Sequence, residues 1–125
     1  MPDDLRYTDD HEWIRVEGEE AVVGITAYAA DQLGDVVFVE LPAAGKGLEP
    51  GAAFGVVESV KAVSDLFAPV GGEVVATNGA LADRPELVNT DPYGEGWMLR
   101  LRLAEPAQVD GLKDPGAYRE LTKAG

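Results

Sequence analysis

The chain has 125 residues, of which 46 % are hydrophobic and 26 % charged, as in a globular protein, and this length fits a single domain over residues 1–125. Ten Lys and Arg against 23 Asp and Glu give a formal net charge of −13, which argues against nucleic-acid and anionic membrane partners because phosphate groups are bound by clustered cations. With no Cys and a single His, His11, the chain has no disulfide, no thiolate nucleophile and no Cys-ligated zinc, so we expect any chemistry to come from a group added to the protein.

The first elements are predicted from turn and capping residues. Residues 13–17 and 21–25 flank a Gly-Glu-Glu segment, which favours a β-hairpin. Thr26 stands at the position of a helix N-cap and Gly34 just after the last helical residue, so a short helix is predicted over residues 27–33.

The middle of the chain is predicted as strands that Gly and Pro separate. Residues 36–41 are β-branched and aromatic, are too few for a helix, and end at a proline. Strands are also predicted over residues 53–58, 63–68 and 72–78, with an Asn-Gly turn after the last of them.

The last third of the chain mixes one strand with short helices. A short helical piece is predicted near residues 85–88, and residues 97–103 alternate apolar and basic side chains, as in a strand with one solvated face. Proline near the start predicts two helices, at residues 105–106 and 114–115. Strands at this spacing predict a mainly β sandwich or flattened barrel with helices at its edges.

The start of the chain carries no targeting signal that we recognise. Met1 to Leu5 are acidic and polar, unlike a secretory signal or an Arg-rich transit peptide. No apolar run approaches the roughly 20 residues that span a bilayer. We therefore expect a cytoplasmic protein, or one of the mitochondrial matrix if this is the mature form of a eukaryotic protein.

The most informative stretch is a second predicted hairpin with a lysine at its tip. Its strands over residues 53–58 and 63–68 are nearly equal in length, so residues 59–62 form the tip and Lys61 lies at the far end of a rigid ribbon. A modifying enzyme and a swinging arm both need an amine presented in this way. Most surface lysines are simply solvated turn residues, however, and geometry alone favours that interpretation. Lys46 also lies in a loop, but no matched strands present it.

The residues around Lys61 resemble the lipoylation site of glycine cleavage system H proteins. The octapeptide Glu-Ser-Val-Lys-Ala-Val-Ser-Asp at residues 58–65 carries this resemblance. Further segments match the family in its order, at residues 7–13, 22–26, 33–42, 87–89 and 91–97. Because the matches extend over about residues 6 to 121, the chain is identified as a member of this family by resemblance.

This resemblance implies both a fold and a role. The fold would be lipoyl-domain-like, a flattened barrel or sandwich of antiparallel strands (a barrel-sandwich hybrid) with a few short helices, including one at the C-terminus. Lipoic acid would be attached to Lys61 through an amide bond. The chain would be a non-catalytic carrier in glycine catabolism and one-carbon metabolism, because the cofactors carry the reactive chemistry.

The resemblance also implies a set of partner enzymes. The arm would accept the aminomethyl group of glycine from the pyridoxal-phosphate-dependent glycine decarboxylase (P protein). It would pass this group to the aminomethyltransferase (T protein), and dihydrolipoyl dehydrogenase (L protein) would reoxidise the resulting dithiol. A lipoate ligase or an octanoyltransferase would attach the arm. A carrier that visits several enzymes is expected to be a monomer.

Four further residues match functional positions of the family. Glu58 and Gly72 match positions implicated in recognition by lipoylating enzymes. A weak surface ion pair is the alternative role of Glu58, and a turn requirement explains Gly72 equally well. Glu12 and Asp65 match acidic positions that line the cleft for the loaded arm, where a carboxylate can hold an aminomethyl cation, although either could be a solvated strand residue. His11 has no nucleophile beside it in the sequence, so a packed or capping histidine is predicted.

Three other functions stay open at this stage. A lipoyl or biotinyl domain of another complex would share the hairpin, but biotin acceptors usually present Met-Lys-Met where this chain has Val60-Lys61-Ala62. A lipoate-relay carrier that donates lipoate to other enzymes would have the same sequence features. An unmodified acidic binding module would leave Lys61 bare.

Overall fold

The structure is a computed structural model that describes residues 4–123. Within these residues the chain forms nine β-strands, four α-helices and one 3₁₀ helix. In chain order they are β1 (Arg6–Tyr7), β2 (Glu12–Glu17), β3 (Glu20–Ile25), α1 (Ala27–Leu33), β4 (Val36–Glu40), β5 (Gly47–Leu48), β6 (Ala53–Ser59), β7 (Val63–Phe67), β8 (Gly72–Thr77), α2 (Ala80–Asp83), α3 (Leu87–Thr90), β9 (Leu99–Leu103), the 3₁₀ helix (Pro106–Gly111) and α4 (Pro115–Lys123). None of the helices in this part of the chain is long and apolar enough to cross a membrane.

The strands form two antiparallel sheets. The larger sheet has six strands in the order β1-β2-β3-β9-β8-β5, and the smaller has three in the order β4-β6-β7. Buried side chains from both sheets pack in one apolar cluster, to which Ile14 and Val23 contribute from the larger sheet and Val57 and Leu66 from the smaller. The predicted mainly β fold with short helices is therefore confirmed, and the two sheets do not close into a barrel.

Helix α1 forms as its capping residues predict. The hydroxyl of Thr26 accepts a hydrogen bond from the backbone N–H of Ala29 at 3.2 Å, which satisfies one free donor of the first turn. At the other end Gly34 has φ of 79° and donates its N–H to the carbonyl of Ala30 at 3.1 Å. Glycine adopts this left-handed conformation without steric cost, so it ends the helix.

The C-terminal helix α4 packs against β1 through a second apolar cluster. Tyr118 of α4 stacks on Tyr7 of β1 with ring centroids 4.6 Å apart, and Trp13 belongs to the same cluster. All three side chains are almost fully buried. This packing brings α4 beside the first strands.

The differences from the predicted elements lie at short segments. Strands β1 and β5 have two residues each and exist only because they pair with β2 and β8, which no local pattern indicates. Helix α2 has no side-chain cap and was not predicted. The last strand begins at Leu99 rather than residue 97, because the N–H of Trp97 closes a turn on the carbonyl of Gly94.

Candidate functional site

The hairpin of β6 and β7 ends in a turn that its own serine side chain stabilises. Glu58 pairs with Val63 as the last residue pair of the ladder. Beyond it, the hydroxyl of Ser59 accepts hydrogen bonds from the N–H of Lys61 at 3.3 Å and of Ala62 at 3.0 Å. The tip is thus a defined turn, as the sequence predicts, with Lys61 exposed on it.

The side chain of Lys61 is available for modification. It takes part in none of the ion pairs formed within residues 4–123. Its stem passes the loop between α1 and β4, where a Cβ atom placed on Gly34 would lie 3.4 Å from its Cε. The N–H of Val60 donates to the carbonyl of Asp35 at 3.1 Å, so the tip rests on that loop. An exposed amine on such a support fits amide attachment of an acyl arm.

A cleft of about 290 Å³ opens between α1, the hairpin and the segment before β2. It is lined by Asp10, His11, Glu12, Ile25, Tyr28, Ala29, Gln32, Leu33, Val57, Ser64, Asp65 and Leu66. Three of these side chains are carboxylic acids, and none is Lys or Arg. We call it the acidic cleft, and its composition suits a group that combines an apolar stem with a positive charge.

Glu12 is the buried acid of the acidic cleft. Glu12 is only 2 % exposed, and its Oε2 accepts a hydrogen bond from the backbone N–H of Phe67 at 2.8 Å. The hydroxyl of Thr8 donates to Oε1 at 3.3 Å. Burial raises the pKa of Glu12 to about 8, and the nearby Asp10 adds to this rise while the two hydrogen bonds oppose it.

The structure brings Asp65 to the same cleft as Glu12. Asp65 lies on β7, the edge strand of the smaller sheet, and is exposed. Asp10 also lines the cleft and is exposed. The two residues that sequence resemblance assigned to this cleft, Glu12 and Asp65, therefore lie together, one buried and one at the rim.

His11 is a packed residue that connects the cleft to α4. Its backbone has φ of 66°, and its ring Nδ1 lies 2.8 Å from the hydroxyl of Tyr118. That hydroxyl in turn lies 2.7 Å from the hydroxyl of Thr26. The His11 ring is tilted against Tyr28 with centroids 4.7 Å apart, and burial lowers its pKa. These contacts match the packed histidine that the sequence predicts.

The structure places Glu58 and Gly72 on different sheets. Glu58 is partly exposed on β6, in register with Phe38 of β4 and Val63 of β7. Gly72 is the buried first residue of β8, where a Cβ atom would collide with the carbonyl oxygen of Arg102. A close approach between β8 and β9 therefore accounts for the glycine, and Gly72 lines neither the acidic cleft nor the hairpin tip.

Sequence reasoning did not assign the wall that α1 contributes to the cleft. Tyr28, Ala29, Gln32 and Leu33 lie at spacings of one, four and five residues, which place them on one face of α1. The helical spacing is readable from the sequence, but the surface that this face contacts depends on the fold. Within residues 4–123, no group of three or more His, Cys, Asp or Glu side chains could hold a metal ion.

Comparisons with known proteins agree over almost the whole chain. The family model described as Glycine cleavage H-protein matches residues 5–125. The glycine cleavage system H protein of Magnetococcus marinus is 64 % identical over 118 residues, which are 94 % of this chain and 84 % of that protein. That of Symbiobacterium thermophilum is 58 % identical over 125 residues, which are 100 % of this chain and 98 % of that protein. The crystal structure of a glycine cleavage system H protein from Mycobacterium marinum matches with a TM-score of 0.91 and 40 % identity, covering 98 % of this chain and 99 % of that chain. The chain therefore belongs to the glycine cleavage H-protein family.

Proposed function

We propose that this chain carries lipoic acid on Lys61 and shuttles the aminomethyl group of glycine from the P protein to the T protein, after which the L protein reoxidises the arm. One observation carries the proposal. An exposed lysine lies at the tip of a hydrogen-bonded hairpin, and residues a few positions after it, Ser64 and Asp65, line the acidic cleft. This cleft contains a buried carboxyl group that has no cation partner among the described residues. Membership of the H-protein family supports the carrier role, and the P, T and L partners are part of the proposal.

The protein's own contribution is attachment, orientation and shelter. The lipoyl group, when bound, would supply the disulfide that accepts the aminomethyl group on one sulfur, and it would be a dithiol only after that group has been passed on. Lys61 holds the arm on a turn that cannot collapse onto the core. The apolar side chains of Leu33, Val57 and Leu66 offer a surface for the arm's hydrocarbon stem. They also exclude water from the loaded group.

The carboxyl groups of the acidic cleft would hold the aminomethyl group as a cation. Glu12 is the main candidate because its burial strengthens a charge-assisted hydrogen bond. A cation beside Glu12 would favour its ionised form, so the raised pKa would fall when the arm is seated. Asp65, exposed at the rim, would contribute less because water screens it.

Attachment of the arm requires a lipoate ligase or an octanoyltransferase, and Glu58 is the residue that such an enzyme could contact. It lies three residues before Lys61, between two exposed apolar side chains, Phe38 and Val63. Gly72 would contribute to recognition only by allowing β8 to lie close to β9. We further propose that the carrier is a cytoplasmic monomer.

Intact mass and peptide mapping of the protein from its native host test the proposal directly. We expect a lipoyl mass increment confined to the peptide that contains Lys61. The Lys61→Arg variant should keep the fold but carry no increment and support no glycine decarboxylation by the P protein, because a guanidinium group does not form the amide. Lys46→Arg, at another exposed loop lysine, is the matched control and should behave as wild type. A bare Lys61, a biotinyl increment, or an active Lys61→Arg variant would each disprove the carrier function.

A further inference from the structure

The side chain of Asn89 joins the end of α1 to the start of β4. Its amide nitrogen donates hydrogen bonds to the carbonyl of Gly34 at 2.8 Å and, more weakly, to that of Ala30 at 3.5 Å. Its amide oxygen accepts from the N–H of Val36 at 2.9 Å. All of these partners are backbone groups, so Asn89 fixes the path of the main chain through the segment 34–36. We call this segment the tip seat.

The tip seat is also the surface on which the lysine-bearing tip rests. Asp35, between the two residues bound by Asn89, accepts the hydrogen bond from the N–H of Val60 at 3.1 Å. The stem of Lys61 passes beside Gly34, at the van der Waals distance from a Cβ placed there. Only the tip seat therefore lies between the side chain of Asn89 and the hairpin tip.

Regular strand pairing does not provide this support by itself. The ladder between β4 and β6 has an irregularity between Val36 and Phe38, next to the tip. Val36 is buried, and its N–H is satisfied by Asn89 rather than by a neighbouring strand. A backbone donor left without a partner there would cost free energy, so the segment would move if the amide side chain were removed.

We propose that Asn89 is a positioning residue for Lys61. By fixing the tip seat, it holds the tip in the orientation in which the lipoylating enzyme receives the lysine. Asn89 lies on α3, which contributes no residue to the acidic cleft. The inference rests on the proposed lipoylation of Lys61, and it adds a residue that acts on this step through the backbone.

A comparison of Asn89 with Asn78, a second asparagine that bonds to backbone groups, distinguishes a positioning role from a general loss of stability. Asn78 makes the same kind of backbone bridge at the larger sheet, since its amide nitrogen donates to the carbonyls of Glu95 at 2.7 Å and Trp97 at 2.8 Å. Its oxygen accepts from the N–H of Ala80 at 3.2 Å. Asn78→Ala therefore removes comparable hydrogen bonds without touching the tip seat.

The first measurement is the rate at which a lipoate ligase modifies Lys61 in each variant. We expect kcat/KM to fall about three- to tenfold in Asn89→Ala, mainly through a higher KM, because a smaller fraction of the free protein presents the tip correctly. Asn78→Ala should stay within about twofold of wild type. Asn89→Asp should resemble Asn89→Ala, since it keeps the acceptor for Val36 but turns a carboxylate oxygen toward the Gly34 carbonyl.

The second measurement is amide hydrogen exchange at Val60, under conditions in which all variants are folded. Exchange should be faster in Asn89→Ala and Asn89→Asp and unchanged in Asn78→Ala, because only the first two loosen the acceptor at Asp35. Equal losses of kcat/KM in the two alanine variants, or unchanged Val60 exchange, would overturn the inference. If wild-type Lys61 is not lipoylated at all, the proposed function fails, while the Val60 exchange still decides whether Asn89 positions the tip.

Discussion

At the residue scale, the carboxyl group of Glu12 is buried without a cation beside it. The residue is 2 % exposed and belongs to none of the ion pairs within residues 4–123. Its two hydrogen bonds, from Phe67 N–H and the Thr8 hydroxyl, offset only part of the desolvation. At a pH between the unfolded and folded pKa values of Glu12, the carboxyl group is therefore protonated in the folded protein and ionised in the unfolded chain.

This burial gives the stability of the protein a definite pH dependence. The pKa of Glu12 rises from 4.5 to about 8 on folding, so between these values the folded state binds more protons than the unfolded state and stability falls as pH rises. Glu12→Gln keeps the acceptor for Phe67 and removes the titration. We expect this variant to gain stability relative to wild type as pH increases, by on the order of a few kcal/mol between about pH 5 and pH 9.

Urea unfolding of the two proteins at a series of pH values measures this difference. Comparing variant with wild type cancels the other titrating groups, including His11, whose pKa is lowered by burial. Parallel stability curves over the whole range would show that the carboxyl group of Glu12 is not penalised by burial.

The same carboxyl group should protect the loaded arm. When the aminomethyl group is in place, Glu12→Gln should speed its loss to water by about tenfold or more, because a charge-assisted hydrogen bond contributes about 1.5–3 kcal/mol. Single-turnover release from loaded protein measures this rate. Glu49→Gln, at an exposed acid of a loop, is the control. A release rate equal to that of the control would assign Glu12 a purely structural role.

At the element scale, the parts that local chemistry determines were predictable from the sequence. Helix α1 begins after Thr26 and ends at Gly34 because a hydroxyl cap and a left-handed glycine act within one turn of the chain. The hairpin tip was likewise located by the nearly equal lengths of the predicted strands over residues 53–58 and 63–68, which the structure gives as β6 with seven residues and β7 with five. Strand β1, by contrast, exists through its partner β2, which no local pattern encodes.

The cap of α1 should be measurable as a contribution to stability. Thr26 is fully buried, accepts from the N–H of Ala29 and lies 2.7 Å from the Tyr118 hydroxyl, so Thr26→Ala removes two interactions. We expect a loss of about 1–3 kcal/mol in the free energy of unfolding. Thr90→Ala, at an exposed hydroxyl that bonds only to its own helix, should change it by less than about 0.5 kcal/mol. Equal effects in urea unfolding would contradict the capping role.

At the scale of the whole molecule, the acidic cleft is assembled from distant parts of the chain. Glu12 is the first residue of β2, Tyr28 and Leu33 come from α1, and Asp65 comes from the edge strand of the smaller sheet. The resemblance to the H-protein family assigned the two acids to a cleft, but it did not give the burial of Glu12 or the wall formed by α1. The hydrogen bonds of the Asn89 side chain could not be predicted either, because side-chain contacts with backbone groups more than fifty residues away leave no sequence pattern.

Lys61 has one further consequence, through its charge. Lys61 is the only Lys or Arg in α1, β4, β6, β7 and the loops that join α1 to β4 and β6 to β7. The same segments contain five acids, Asp31, Asp35, Glu40, Glu58 and Asp65. Acylation would remove this cation and change the formal net charge from −13 to −13 − 1 = −14. Modified and bare protein should then separate on anion exchange or isoelectric focusing. The fraction of modified molecules in a preparation can thus be measured from charge alone, on the folded protein.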